Sequence, residues 1–190
     1  MYEQVLQNLC TLVQYRPEDA EVLKRVYPVT SAWADEFVQI FYDVLFGYEP
    51  TARIFQPNER PAREQTLREW YLRLVKGDVD ESFWRGQWRV GLVHIYRRVT
   101  NDFMIAMMSC LQQEFLRKCM DTWPSAEAVE VFLAFKRTTD VVSGLIAEGY
   151  MRGYQQAMKE LLGFRIGLLE RLIDMESKSL VERLEHLTVK

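Results

Sequence analysis

One histidine of this chain lies inside an apolar helical run, where its imidazole could bind a metal. The run is Val90-Gly91-Leu92-Val93-His94-Ile95-Tyr96. A neutral imidazole is a good ligand for iron, and a haem takes one such ligand on its proximal side. Gly91 precedes His94 by one helical turn, and its missing side chain predicts space for a flat macrocycle. The alternative is a hydrogen-bonded core histidine that binds nothing.

Two further features could complete such a site. Tyr42 lies half a turn off the apolar stripe of an earlier helix, so we expect its hydroxyl to point inward and donate to a gas that carries partial negative charge. Arg97 and Arg98 follow His94 by one turn, and guanidinium groups suit the carboxylates of haem propionates. Each feature also has a plainer role, as a phenol that satisfies a backbone carbonyl or as arginines on a solvated face.

Composition limits the classes of protein that this chain can belong to. Its 190 residues fit one domain with an appendage, and a formal charge of −3 offers no electrostatic case for nucleic acid or an anionic membrane. No apolar stretch approaches the roughly 18 residues that span a bilayer, and the first residues lack the pattern of a signal peptide. The three cysteines show no CxxC spacing. We therefore expect reduced thiols and a cytoplasmic location.

The apolar periodicity is helical between the prolines and glycines, and no segment alternates as a strand does. We predict an all-α fold of seven or eight helices, with Pro28 ending the second. The predicted ranges are residues 2–14, 17–27, a long helix that stops near Gly47, a single turn at 51–55, and then 60–76, 80–99, a helix from about 101, and a final run from 126 to the end.

The last thirty residues carry a seam of coiled-coil spacing. Apolar positions alternate by four and three residues, which averages 3.5 and is typical of a coiled coil. The seam consists of Leu162, Ile166, Leu169, Ile173 and Leu180, is interrupted at Glu176, and continues with a small shift at Leu184 and Leu187. We predict a globular domain over residues 1–158 and a helical, dimerising tail over residues 159–190. A packed terminal helix is the alternative.

The order and spacing of three strings resemble a known family. Phe41-Tyr42-Asp43-Val44-Leu45, Glu64-Gln65-Thr66-Leu67-Arg68 and Val90-Gly91-Leu92-Val93-His94 are similar to motifs of the haem domain of globin-coupled sensors and of their relatives, the protoglobins. The resemblance covers roughly residues 15–160. It implies a globin-like helical sandwich with an extra N-terminal helix and a long C-terminal helix.

The resemblance also implies roles for particular residues. His94 corresponds to the iron ligand of haem b, and Val90 belongs to the same cofactor-binding motif. Tyr42 corresponds to the distal hydrogen-bond donor, and Thr66 to a distal hydroxyl residue that some members use. Arg63, one turn before Thr66, departs from the family pattern, which is often apolar near that position.

The function that follows is a haem-based oxygen sensor, active as a homodimer, that signals through its C-terminal helices to an output domain or a partner. The chain has no Gly-Gly-Asp-Glu-Phe string and no nucleotide-binding glycine loop. We therefore expect a non-enzymatic fragment whose output domain, such as a diguanylate cyclase or a histidine kinase, lies elsewhere. The alternative is a haem-free globin-fold module for dimerisation. A peroxide- or nitric-oxide-consuming enzyme is the weakest hypothesis, because the only other histidine, His186, lies in the tail.

Overall fold

Helices account for the regular structure of the computed structural model, which describes residues 2–163 and 166–188. Nine α-helices follow one another in these residues, with one 3₁₀ turn at Ser31–Trp33. They are α1 Tyr2–Leu12, α2 Pro17–Thr30, α3 Ala34–Gly47, α4 Glu49–Ala52, α5 Arg60–Val75, α6 Glu81–Arg97, α7 Asn101–Thr122, α8 Ser125–Leu162 and α9 Ile166–Thr188. The all-α prediction is confirmed, whereas the predicted number of seven or eight helices is too low, because the final run divides at Gly163. No helix in this part of the chain is long and apolar enough to cross a membrane.

Two predicted helix boundaries were wrong. Pro28 lies inside α2, which continues to Thr30. The helix continues past the missing proline N–H for two residues, and its last residue, Thr30, is fully buried and donates its hydroxyl to the carbonyl of Val26 at 3.3 Å. The final run is also not continuous, because α8 ends at Leu162 and Gly163 has a φ of +66°. A left-handed glycine after the last turn is a common helix terminator, which periodicity alone does not reveal.

Packing divides the chain into two compact units, residues 1–150 and residues 151–190. The predicted boundary at residues 158 and 159 stays a prediction, since a packing unit is not by itself a functional domain. The core of the first unit is aromatic. Phe115 stacks on Phe135 with ring centroids 3.8 Å apart, and Phe37 stacks on Tyr71 at 4.9 Å. The phenol of Tyr71 donates to the carbonyl of Thr30 at 2.9 Å, so this buried polar group is satisfied.

Gly91 does not make room for a cofactor; it lets two helices touch. A Cβ on Gly91 would lie 2.3 Å from the carbonyl oxygen of Ile146 and 2.6 Å from the nitrogen of Tyr150, both on α8. Gly149 of α8 is equally restricted, since its Cβ would meet the carbonyl oxygen of Trp88 at 2.4 Å. The backbones of α6 and α8 are therefore in contact at this crossing. The expectation that Gly91 provides space for a macrocycle was wrong, because this glycine faces α8.

We expect Gly91→Ala to lower the free energy of unfolding by about 2–3 kcal/mol or more, because the new methyl group meets rigid backbone that cannot move aside. Gly86→Ala is the matched control on the same helix, where a Cβ meets nothing within 4 Å. That change should leave the stability unchanged or raise it by up to about 1 kcal/mol. Chemical denaturation of both variants checks the prediction, and equal stabilities would contradict the close crossing.

Candidate functional site

A cavity of about 420 Å³ lies in the first unit between α3, α5, α6 and α7. Ligand sites are typically about 300–1,000 Å³ and mostly apolar. The lining here is largely apolar and comes from every one of these helices. Its members include Phe41, Leu45, Ile54, Phe55, Leu67, Val90, Val93, Phe103, Met104, Met107, Met108, Leu111 and Ile146. A bulky, mostly hydrophobic group with one polar or metal centre is the ligand that such a lining accepts.

Two side-chain bridges join α5 and α6 at opposite ends of the cavity. The indole Nε1 of Trp70 donates to Oε1 of Gln87 at 3.1 Å, and the guanidinium of Arg97 donates to Oε2 of Glu59 at 2.5 Å. Residue 59 pairs with 97 and residue 70 pairs with 87, so the two helices run antiparallel. Some of the residues between the bridges, Thr66 of α5 among them, line the cavity from the two walls.

Each bridge has a local reason. Gln87 is only 4% exposed and also donates its amide to the carbonyl of Phe83 at 2.9 Å, which fixes the orientation of its acceptor oxygen. The carboxylate of Glu59 accepts from the backbone N–H of Gln56 at 2.9 Å. That hydrogen bond, together with the one from Arg97, lowers the pKa of Glu59. Glu59 is therefore an ionised acceptor at neutral pH.

His94 lies on α6 and lines the cavity between the two bridges. Burial lowers its pKa to about 4, so the imidazole is neutral at physiological pH. Its Nδ1 is buried and has no hydrogen-bond partner among the described residues. A neutral imidazole facing an apolar cavity suits coordination of a metal in that cavity. The chemistry of this side chain therefore fits a haem, and the alternative of a hydrogen-bonded core histidine fits it less well.

Tyr42 of α3 also lines the cavity and is 6% exposed. Its ring packs edge-to-face against Phe41 and Phe55, with centroids 5.2 and 6.0 Å away. Burial raises the pKa of this phenol to about 12, although the positive charge of Arg63 opposes the shift. Tyr42 therefore keeps its proton and is a hydrogen-bond donor across the physiological pH range. Its predicted position in the interior agrees with the structure.

Thr66 of α5 and Val90 of α6 both line the cavity, as expected for cofactor contacts. Thr66 differs from Tyr42 in the hydrogen bonds that its hydroxyl can make with a ligand. The hydroxyl donates to the backbone carbonyl of Ala62 at 2.9 Å, so its proton is already engaged. It keeps lone pairs that can accept a hydrogen bond from a ligand.

The two adjacent arginines separate at the end of α6. Arg97 lines the cavity and is bound to Glu59 and to the carbonyl of Ile54, at 2.5 and 3.2 Å. Arg98 does not line the cavity; it is exposed and has a left-handed backbone with φ of 58°. The left-handed residue turns the chain away from the helix axis. Arg97 is therefore in reach of the cavity, whereas the predicted pairing of Arg98 with a haem propionate stays a prediction.

Sequence reasoning missed Glu59, Gln87 and Trp70. Glu59 and Arg63 stand four residues apart, a spacing that indicates an ion pair on one helix face. The contacts of Glu59 with Arg97 and of Trp70 with Gln87 join residues 38 and 17 positions apart. Such pairings depend on how α5 and α6 are placed, so no local pattern could reveal them.

Comparison with known proteins places the chain in a family. The family profile described as Protoglobin matches residues 2–156. The chain belongs to the protoglobin family. The globin domain of a globin-coupled sensor from Geobacter sulfurreducens superposes with a TM-score of 0.68 at 21% identity, over 76% of this chain and 96% of that one. The ferric globin domain of DosC from E. coli superposes with a TM-score of 0.61 at 14% identity, over 78% of this chain and 99% of that one.

At such identities these two solved structures establish the fold of this protoglobin and nothing finer. The expected globin-like fold and the expected family are thereby confirmed. A comparison with curated protein sequences found no match.

The bridge between Trp70 and Gln87 can be tested by substitution. Gln87→Leu should lower the free energy of unfolding by about 1–3 kcal/mol, because it leaves the half-buried indole N–H of Trp70 without its acceptor. Gln65→Leu is the control, since Gln65 of α5 is exposed and bonds only Glu69 of the same helix. That change should stay within about 0.5 kcal/mol. Denaturation followed by tryptophan fluorescence measures both, and a neutral Gln87→Leu would show that the bridge is dispensable.

Proposed function

We propose that this protoglobin is a haem-based gas-sensor domain with O₂ as its ligand. The observation that carries the proposal is His94, a neutral, half-buried imidazole that lines a large apolar cavity and whose buried Nδ1 has no hydrogen-bond partner among the described residues. Haem b, when bound, supplies the iron centre that takes a diatomic gas. All other parts of the proposed site come from side chains of this chain.

The size of the cavity supports a bound cofactor. Pockets that bury most of a small ligand are typically about 300–1,000 Å³, and this cavity of about 420 Å³ lies within that range. A largely apolar ligand that enters it removes apolar side chains from water, which stabilises the bound state. The apolar lining matches the macrocycle, and the polar groups stand at separate places on the wall.

Three side chains have distinct roles in the proposed site. His94 ligates the iron through its imidazole. Tyr42 keeps its proton because of burial and donates a hydrogen bond to the gas. Arg97 pairs with a propionate near the mouth of the cavity, where Glu59 already holds its guanidinium in place. Val90 and Thr66 provide contacts on the two walls.

A route from the site toward the tail exists within the helices. The face of α6 that carries His94 lines the cavity, and the neighbouring face touches α8 through Gly91. A shift of α6 on ligand binding therefore acts on the backbone of α8, which continues to Leu162. A signal needs two conformations that the ligand distinguishes. We propose that α8 carries this signal to the tail and from there to an output domain or a partner.

The tail supports the proposal of a homodimer. Apolar side chains of α9 are exposed, among them Leu168, Leu172, Ile173, Met175, Leu180 and Val181. An amphipathic helix gains most of its stability by burying its apolar face, so a second copy is the partner we propose. Within the predicted seam, Ile173 and Leu180 are described, whereas the side chains of Leu162, Ile166, Leu169, Leu184 and Leu187 lie outside the described residues.

We also propose a cytoplasmic location and a non-enzymatic role. Cys10, Cys110 and Cys119 are free thiols, as a reducing compartment favours. The residues that line the cavity include one histidine, His94, which leaves no second imidazole in the described lining for acid–base catalysis on peroxide.

The first test is the absorption spectrum of the purified, haem-reconstituted protein, reduced, with and without O₂. The parent should show a haem band that shifts with O₂, and His94→Ala should lose or alter that band because the iron loses its protein ligand. Tyr42→Phe is the companion variant, which should keep the haem and release O₂ about tenfold faster or more, because a hydrogen bond to a partly charged group is lost. A parent without a haem band would exclude gas sensing and favour the haem-free dimerisation module.

The dimer is tested separately by analytical ultracentrifugation. The double variant Ile173→Glu with Leu180→Glu should be monomeric, because charges placed in a seam oppose pairing. Met175→Glu is the control on the same helix, since Met175 is exposed and is not one of the seam residues. It should leave the parent's association state unchanged. A monomeric parent, or dissociation by both variants alike, would contradict the proposed seam.

A further inference from the structure

The charged side chains that line the cavity are of one sign. Among the described lining residues, the side chains that carry a formal charge at neutral pH are Arg63 and Arg97, and no carboxylate is among them. Both arginines reach the same acceptor, since Nε of Arg63 is 2.8 Å and the guanidinium of Arg97 is 2.5 Å from Glu59. Two cations therefore share one anion. Outside the lining the balance is reversed, since Arg60 is shared by two carboxylates at 2.6 Å each.

Helix register places one of these arginines opposite the imidazole. The bridge between Glu59 and Arg97 fixes the level of α5 against α6. Arg63 lies four residues inward from that bridge on α5, and His94 lies three residues inward on α6. At about 1.5 Å per residue these displacements are about 6 and 4.5 Å, so the Cα atoms of the two residues lie at nearly the same level on facing walls. The Arg63 side chain extends from there toward Glu59. Thr66 lies a further turn along α5.

Arg63 has unused hydrogen-bonding capacity. Its Nε is buried and close to the Glu59 carboxylate, yet that contact lacks the geometry of a hydrogen bond, and no other acceptor serves this N–H among the described residues. The side chain is 43% exposed, so it stands toward the mouth of the cavity. Its charge also acts on Tyr42, whose phenol pKa it lowers against the effect of burial. Arg63 and Tyr42 therefore influence the same part of the cavity.

We propose that Arg63 is an anion-recognition residue, which faces His94 across the cavity and favours small anionic ligands over neutral ones. This rests on the proposed haem site, in which His94 would hold the iron that binds the anion. The guanidinium supplies a positive charge and N–H donors, both of which stabilise an anion in an apolar cavity more strongly than in water. Arg97 remains the propionate partner.

The test measures the affinity of the ferric, haem-loaded parent and variants for fluoride and for imidazole at one pH. Fluoride is a small anion that accepts hydrogen bonds, and imidazole is a neutral ligand of the same iron. Arg63→Met should weaken fluoride binding about tenfold or more and change imidazole binding less than about threefold. Arg63→Lys should retain part of the fluoride affinity, because it keeps the charge.

Arg60→Met is the matched control. Arg60 lies on the same helix and is bound to Asp43 and Glu64, outside the cavity lining. The Arg60→Met variant removes the same positive charge as Arg63→Met. If its fluoride affinity stays within about twofold of the parent's, the effect of Arg63 is local recognition and not a general effect of charge. Equal weakening by Arg60→Met and Arg63→Met would overturn the proposal.

Further outcomes are equally decisive. Parallel changes in fluoride and imidazole affinity in Arg63→Met would assign Arg63 to the shape of the cavity, and loss of haem from that variant with haem retained by Arg63→Lys would assign it to the propionates. Either result overturns anion recognition. A parent without a haem band, seen before any anion is added, would instead refute the proposed function on which this inference rests.

Discussion

The separation of α5 from α6 is the constraint on which the site depends. Helices normally pack with their axes about 8–10 Å apart and leave few voids between them. Here two polar bridges join these helices at opposite ends of a cavity of about 420 Å³. Each bridge ends on a group that is itself anchored, Gln87 by a backbone carbonyl and Glu59 by a backbone N–H. The walls are therefore held in register while the space between them stays open.

Two adjacent faces of α6 have different surroundings: one lines the cavity and the other contacts α8. Val90, His94 and Arg97 recur at spacings of four and three and line the cavity. Gly91 is rotated by about 60° from His94 around the helix axis, and that difference is enough to point it at α8. Because the contact with α8 is between backbones, it leaves little freedom for α6 to move alone. The same helix therefore connects the proposed ligand to the longest helix described.

Polar groups that line the cavity differ in how many hydrogen bonds they already make within the protein. The proton of Thr66 is engaged by its own helix, and Arg97 is bound by a carboxylate and a carbonyl. His94 Nδ1 and Arg63 Nε are buried without a hydrogen bond. Buried polar groups without partners destabilise a fold, and a ligand in the cavity that bonds these two groups would remove that cost.

The sequence by itself determined the helical class, most helix positions and the identity of His94 and Tyr42 as cavity residues. These depend on local periodicity and on residue chemistry, which a chain displays without being folded. Only the tertiary structure decided that Gly91 faces α8, that Arg98 leaves the cavity, and that Arg63 stands level with His94. Each of these depends on the rotation or the relative register of two helices. Long-range contacts such as that of Glu59 with Arg97 set that register, and no repeat within one helix encodes it.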